Sequence, residues 1–327
     1  AIKLNPDLAD AYSNLGNILK DLGQLKEAEI SYRKAIKLNP DLADAHLNLG
    51  DILSNLGKLQ ELITLSKSIL KQESMNIGYQ LLASVKLSIS NLIKGDLSAT
   101  LLSINKTNDL IKKGGIHYIK EEANRKHVLA YSNLISSLYP QIKKNIHHSI
   151  IEKIPHIGES HCLSFAHQTL TIFSKATTIQ PVLITGAKAW HFANKNRNKW
   201  KASLTKQINN HTDSKIVFIS FGEIDCRKDE GIISYAIKHE EDITEVCKRT
   251  IEGYLNHMEK ILSPIYKKRY YFGVPAPNIV QQEIIDDLDL KRKNLIKLYN
   301  SFLKREVLSR GSYFLDVYNL TSTRDGV

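Results

Sequence analysis

The stretch that decides the fold of the N-terminal region is Ala1–Ala11, which reads AIKLNPDLADA. The same run recurs without change at Ala35–Ala45, 34 residues further on. A period of this length, with apolar residues at helical spacing, is typical of paired antiparallel helices that bury their apolar faces against the next pair. The sequence therefore predicts stacked helical hairpins at the N-terminus.

The first complete repeat resembles the tetratricopeptide consensus at its small, aromatic and terminating positions, which are Leu15, Gly16, Ala28, Tyr32, Ala35 and Pro40. The next repeat begins at Ala43 and keeps Leu49-Gly50. Its later positions hold Leu62, Ser66 and Ile69, where small, aromatic and small residues are wanted, and we expect the array to end there. The resemblance implies an α-solenoid over residues 1–74 that binds a protein or peptide partner in its groove.

The period stays helical from Met75 to about Ile150 and predicts two to four helices that connect the repeats to residues 151–327. Strand-like runs then alternate with helical stretches, at residues 154–157, 181–185, 215–221, 270–274 and 312–317. This alternation favours a parallel sheet covered on both faces, in which ligands bind at the carboxyl ends of the strands. Ser160, Gly186 and Gly222 fall at those ends.

Gly158-Glu159-Ser160-His161 places a hydroxyl at the turn after the first strand-like run, ahead of a helix-like Leu163–Ala166. With the glycines that follow, this half of the chain resembles the SGNH (GDSL) hydrolases. The resemblance implies a flavodoxin-like three-layer α/β/α domain over residues 151–327, with Ser160 as the nucleophile. It also implies that Gly186 and Gly222 belong to the second and third sequence blocks of the family.

The third block, Phe221–Arg227, departs from the family pattern. Gly222 and Asp225 match, but Ile224 stands where an asparagine lends a donor to the oxyanion hole, and such a donor contributes about 3 kcal/mol. Arg227 is one candidate replacement, because a guanidinium can hold the developing charge. The alternative is that Arg227 forms a structural ion-pair network with Glu223 and Asp225, and the sequence leaves both open.

The fourth block, Asp-x-x-His, does not occur in the 327 residues. We expect it beyond Val327, with the chain cut at both ends, since it also opens inside a repeat. His161 is disfavoured as the base for Ser160 because neighbouring side chains diverge. A nucleophilic Cys162 is disfavoured as well, because cysteine is more often a small buried residue.

Composition restricts the remaining possibilities. The net charge is +11, with 45 basic and 34 acidic residues. Three scattered cysteines favour a reducing, cytoplasmic location, and the sequence leaves open a signal peptide ahead of Ala1. No run reaches the ~18 apolar residues of a membrane span. His147, His148 and His156 lack spaced partner ligands and are interpreted as solvated linker residues, so neither metal nor cofactor is indicated.

Aromatic and basic residues interleave between residues 188 and 206, at Lys188, Trp190, Lys195, Arg197, Lys199, Trp200, Lys201 and Lys206. Such a patch suits single-stranded nucleic acid or an anionic glycan. A solvated face of the sheet domain is the favoured reading, and nucleic acid is disfavoured.

Two functions from different classes remain open. The first is a repeat-tethered ester hydrolase or acyl transferase, acting through Ser160 on a small ester or an acylated carbohydrate. Here the backbone amides of Ser160 and Gly186 would hold the oxyanion. The second is a non-catalytic binding protein in which the repeats hold a partner and the sheet domain is degenerate.

Overall fold

A computed structural model describes residues 8–145, 152–172, 174–277 and 287–322. The described residues form two compact units. The first comprises residues 8–145 together with Phe165–Leu170 and Arg197–Ile208, and the second comprises the remaining described residues after 151.

The helices, in chain order, are α1 (Ala9–Asp21), α2 (Leu25–Leu38), α3 (Ala43–Asn55), α4 (Leu59–Lys71), α5 (Ile77–Lys94), α6 (Leu97–Lys112), α7 (Glu122–Asn145), α8 (Ala189–Ala193), α9 (Lys199–Ile208), α10 (Ile232–His239), α11 (Ile243–Leu262), α12 (Asp287–Ser309) and α13 (Val317–Thr321). The strands are β1 (Glu152–Gly158), β2 (Thr169–Ile172), β3 (Lys175–Leu183), β4 (Ile216–Ser220), β5 (Lys268–Phe272) and β6 (Tyr313–Leu315). Short 3-10 helices lie at Gly115–Tyr118, Ser160–Phe165 and Ile224–Cys226.

The first hairpin, α1 with α2, forms around Gly16 and Tyr32. A Cβ atom on Gly16 would stand 2.6 Å from the Tyr32 ring, so a residue without a side chain lets the two helices approach closely. The Tyr32 hydroxyl donates to Asn17 Oδ1 at 2.7 Å, and Ala28 is fully buried beside it. Gly23, with φ +74°, makes the turn between the helices.

The second hairpin, α3 with α4, shares one apolar core with the first. Its members are Leu25, Ala28, Tyr32, Leu49, Ile52, Leu53, Leu56 and Leu62. Helical packing continues past Ile69, because α4 packs on α5, and α5 packs on α6 and α7. The three helices between residues 75 and 145 agree with the predicted two to four.

Two segments that follow β1 in the chain belong to the first unit rather than the second. Helix α9 packs against α2 and α3, and Ala202 joins the core of the two hairpins. The Lys199 ammonium lies 3.9 Å from Asp21, and Gly23 lies against the Asn198 carbonyl. The basic, aromatic stretch at 188–206 is therefore divided between the two units, whereas the favoured interpretation places all of it on the sheet domain.

The sheet has the strand order β2-β3-β1-β4-β5-β6. The pairings of β3 with β1, β1 with β4, β4 with β5 and β5 with β6 are parallel. The chain passes from β1 to β3 on one side and then to β4 on the other, so its direction of winding reverses at β1. Every predicted strand is present, and α11 and α12, which follow β4 and β5, pack on each other.

Two local expectations are wrong, and one strand is not predicted from the sequence. The residues after Ser160 form a six-residue 3-10 helix instead of an α-helix, so no helix dipole of useful length faces the serine. Strand β2 was missed because Thr169–Ile172 is too short to show a period. His156, interpreted as a solvated linker residue, is fully buried in β1. His147 and His148 lie outside the described residues.

Candidate functional site

The candidate site lies where the chain reverses its winding, at the carboxyl ends of β1 and β4. Gly158 pairs with Ser220 across these strands, so Ser160 and Gly222 each follow two residues later. In open parallel sheets this is the position at which ligands bind. The turn geometry comes from Gly222, whose φ of +121° favours glycine.

Glu159 is the centre of the β1 end. Its Oε2 accepts hydrogen bonds from the Ser160 hydroxyl at 2.6 Å and from the Ser160 backbone N–H at 2.7 Å. Its Oε1 pairs with Nδ1 of His161. One buried carboxylate therefore holds both the candidate nucleophile and the neighbouring histidine, an arrangement that the sequence did not indicate.

The pKa values of Glu159 and His161 shift in opposite directions. Burial of Glu159 opposes its ionisation, but the hydrogen bonds and charge of His161, together with the bonds from Ser160, outweigh burial and lower its pKa. Burial also opposes protonation of His161, yet Glu159, and then Glu223, raise its pKa. The pair is thus an ionised carboxylate beside an imidazole that readily accepts a proton.

The β4 end carries a network of ion pairs around Glu223. The Arg227 guanidinium donates to Glu223 through Nε at 3.0 Å and Nη2 at 2.8 Å, and to Glu230 at 3.1 Å. Arg292 reaches the other oxygen of Glu223 at 3.3 Å, and Lys188 reaches Glu230 at 2.7 Å. Arg227 is held by two carboxylates, which is the structural network that the sequence left open, and Ile224 beside it is buried.

Asp225 serves a different purpose from the rest of the predicted site. It is fully buried and accepts hydrogen bonds from the backbone N–H groups of Ala189 at 2.7 Å and Trp190 at 3.0 Å, at the start of α8. Burial raises its pKa to about 6, although these bonds oppose the shift. Asp225 therefore joins the β4 loop to α8 and takes no part in the ion-pair network.

The two predicted glycines differ in their surroundings. Gly186 follows β3 with φ +65° and is exposed, with open space where a Cβ would stand. A Cβ on Gly222 would lie 2.6 Å from the Tyr299 hydroxyl, so Gly222 packs tightly against α12. The structure brings Ser160 and Gly186 to neighbouring strand ends, because the Ile184 N–H donates to the Gly158 carbonyl at 2.8 Å.

Three potential metal ligands meet in the site. One donor atom each from Glu159, His161 and Glu223 lies within 4.8 Å of the others, so the ends of β1 and β4 come together here. Their charges are already matched by partners, since Glu223 pairs with two arginines and Glu159 with His161. We therefore assign no metal to this trio.

Two further side chains clarify the chemistry. His156 in β1 approaches the Ser220 hydroxyl through Nε2 at 3.0 Å and stacks on Phe272, and burial lowers its pKa to about 3. It is a neutral core residue. Cys162 is fully buried, and burial raises its pKa well above the usual value, which disfavours a thiolate nucleophile.

Comparison with known families concerns the N-terminal region. A family model described as "TPR repeat" matches residues 16–57, and one described as "Tetratricopeptide repeat" matches residues 1–30. The N-terminal region carries tetratricopeptide repeats. Such repeats are protein-interaction modules, so this region implies protein partners. Within the described residues, no helix is both long and apolar enough to cross a membrane.

Proposed function

We propose that this chain joins tetratricopeptide repeats to an SGNH-type serine ester hydrolase or acyl transferase domain, with Ser160 as the nucleophile. The observation that carries the proposal is the position of Ser160, at the carboxyl end of β1 where the winding of the sheet reverses. Its hydroxyl is bonded to a carboxylate whose charge is retained. A serine so placed suits attack on an acyl carbonyl.

The strand order supports a flavodoxin-like arrangement of residues 151–327. From β3 to β6 the order is β3-β1-β4-β5-β6, which corresponds to the doubly wound order of that fold, with β2 added at the edge. Gly186, at the next strand end, is exposed and has open space where a Cβ would stand. An acylated carbohydrate is the substrate class that we propose, by analogy with the family.

The alternative is a non-catalytic scaffold with a degenerate sheet domain. One observation favours it: the Ser160 N–H, which the resemblance assigns to the oxyanion hole, donates to Glu159. Arg227, the candidate replacement for the missing asparagine, is held by Glu223 and Glu230. Catalysis therefore requires Glu159 to yield this N–H when substrate binds.

Hydrolysis of p-nitrophenyl acetate by residues 1–327 tests the choice. We expect turnover that depends on Ser160. The variant Ser160→Ala should lose it, and the control Ser164→Ala, in the same 3-10 helix, should retain it. Equal rates for wild type and Ser160→Ala that both exceed the rate in buffer, with circular dichroism unchanged, would exclude Ser160 as nucleophile and favour the scaffold.

A further inference from the structure

We propose that Glu159 accepts the proton of Ser160 during acyl transfer, and that His161 is a positioning residue that acts through Glu159. This inference rests on the proposed function. The resemblance gives the role of general base to the histidine of an Asp-x-x-His motif. We assign that role to Glu159 instead.

Geometry is the first argument. A general base has to lie within about 2.6–3.2 Å of the atom whose proton it takes. Glu159 Oε2 lies 2.6 Å from Ser160 Oγ, whereas His161 bonds through Nδ1 to the opposite oxygen of the carboxylate. His156, the other histidine of this strand end, approaches Ser220 instead.

Charge is the second argument. A base must be unprotonated before it acts, and a carboxyl group with only 2% of its surface exposed would ordinarily favour the neutral form. His161 opposes this tendency from Oε1, and the Ser160 bonds oppose it from Oε2, so that Glu159 stays ionised. The His161 side chain is itself 41% exposed, which lets solvent exchange its protons.

The step balances without any added reactant. Ser160 Oγ forms a bond to the acyl carbon while its proton passes to Glu159 Oε2, and the carbonyl π electrons move to oxygen. When that oxyanion collapses, the bond to the leaving alkoxide breaks and the alkoxide takes the proton from Oε2. Water, or an acceptor hydroxyl, then repeats the sequence and releases the acyl group from Ser160.

The identity of the base decides how the rate depends on pH. If Glu159 is the base, the burst rate rises with pH as Glu159 ionises and is constant at higher pH. The acidic limb of the pH profile then lies below pH 4.5, the ordinary pKa of glutamate. If His161 were the base, its raised pKa would place that limb above pH 6.5, the ordinary pKa of histidine. Replacing His161 removes the group that lowers the Glu159 pKa, so burial then moves the limb to higher pH.

The test is the rate of the p-nitrophenol burst from p-nitrophenyl acetate, measured from pH 3.5 to 8 on residues 1–327. Glu159→Gln keeps an oxygen acceptor but cannot take a proton, and we expect about a 100-fold or greater loss. His161→Asn should retain the burst with its acidic limb shifted upward. Glu122→Gln, which changes an exposed carboxylate of α7 that pairs with Lys126, should match wild type.

Three results would overturn the inference. These are an unchanged burst rate in folded Glu159→Gln, a wild-type limb at or above pH 6.5, or a limb that His161→Asn leaves in place. In each of them the burst still depends on Ser160, so the proposed function stands. A burst that Ser160→Ala does not remove contradicts the proposed function and this inference together. No burst at all contradicts this inference alone, because the inference places the base within residues 1–327 and the resemblance does not.

Discussion

In the repeats, Gly16 meets Tyr32 within a single hairpin, whereas in the sheet unit Glu159 meets Glu223 from the ends of two separate strands. The first contact depends on local period and on one small residue, and the next repeat keeps the glycine but sets Gly50 against Leu62. The second depends on strand order and on hydrogen bonds among polar side chains. This difference indicates that close packing stabilises the repeats, whereas charge and hydrogen bonding stabilise the candidate site.

The largest expected effect is at Gly222, a tightly packed glycine of the site. Gly222→Ala adds a Cβ at φ +121° and 2.6 Å from the Tyr299 hydroxyl, so strain and overpacking act together. We expect the free energy of unfolding to fall by about 3 kcal/mol or more in urea titrations. Gly186→Ala is the matched control, since open space surrounds it, and its loss should stay near 1 kcal/mol. Equal losses would show that packing against Tyr299 contributes nothing.

The next largest effect is expected at Asp225. The direction in which the free energy of unfolding changes with pH follows from the pKa of this residue. Because burial raises that pKa from 3.8 to about 6, the folded protein binds the proton more tightly, and stability falls as pH rises from about 4 to 6. The difference in unfolding free energy between wild type and Asp225→Asn should therefore change by about 2 kcal/mol over this range. A difference that is independent of pH would contradict the assignment of Asp225 as a buried cap of α8.

The two repeats supply a comparison of their own. Gly16 and Gly50 occupy the same repeat position, but a Cβ on Gly50 would meet Leu62 at 3.4 Å, where Gly16 meets Tyr32 at 2.6 Å. We expect Gly16→Ala to destabilise by about 2 kcal/mol. Gly50→Ala should be neutral or slightly stabilising, because alanine favours the helix by about 1 kcal/mol. Hydrogen exchange in α2 and α4 measures both, and equal effects would refute the shape argument.

The smallest expected effect is the loss of one hydrogen bond. Tyr32→Phe keeps the ring against Gly16 but removes the donor to Asn17, so we expect about 1 kcal/mol less stability. A loss as large as that of Gly16→Ala would mean that hydrogen bonding, rather than ring packing, dominates this hairpin. Hydrogen exchange of the α1 and α2 amides provides the measurement.

The sequence predicts the repeats and the strands well because each depends on local pattern. The 34-residue period places Gly16 and Gly50, and apolar runs mark β1, β3, β4, β5 and β6. The sequence could not predict that α9 belongs to the first unit, because an amphipathic helix has the same pattern whichever core it packs against. The strand order likewise depends on contacts that no single segment encodes.

The sequence predicts which strand ends form the candidate site, but it does not predict the hydrogen bonds among the side chains there. Ser160, Gly186 and Gly222 were found because strand ends and glycines are visible in sequence. The carboxylate bridge from Ser160 to His161 was missed, because neighbouring side chains were expected to diverge and Glu159 was not considered as their common partner. Asp225 was assigned to the site on its sequence position alone, although its role depends on Ala189 and Trp190, which are distant in the chain.

Peptide mapping after reaction with a fluorophosphonate tests whether Ser160 is a nucleophile. We expect one phosphonylated residue, Ser160, and loss of the adduct in Ser160→Ala. The adduct should form more slowly in Glu159→Gln than in Glu122→Gln. An adduct on another serine, or folded wild-type protein that stays unlabelled, would show that Ser160 is not the nucleophile.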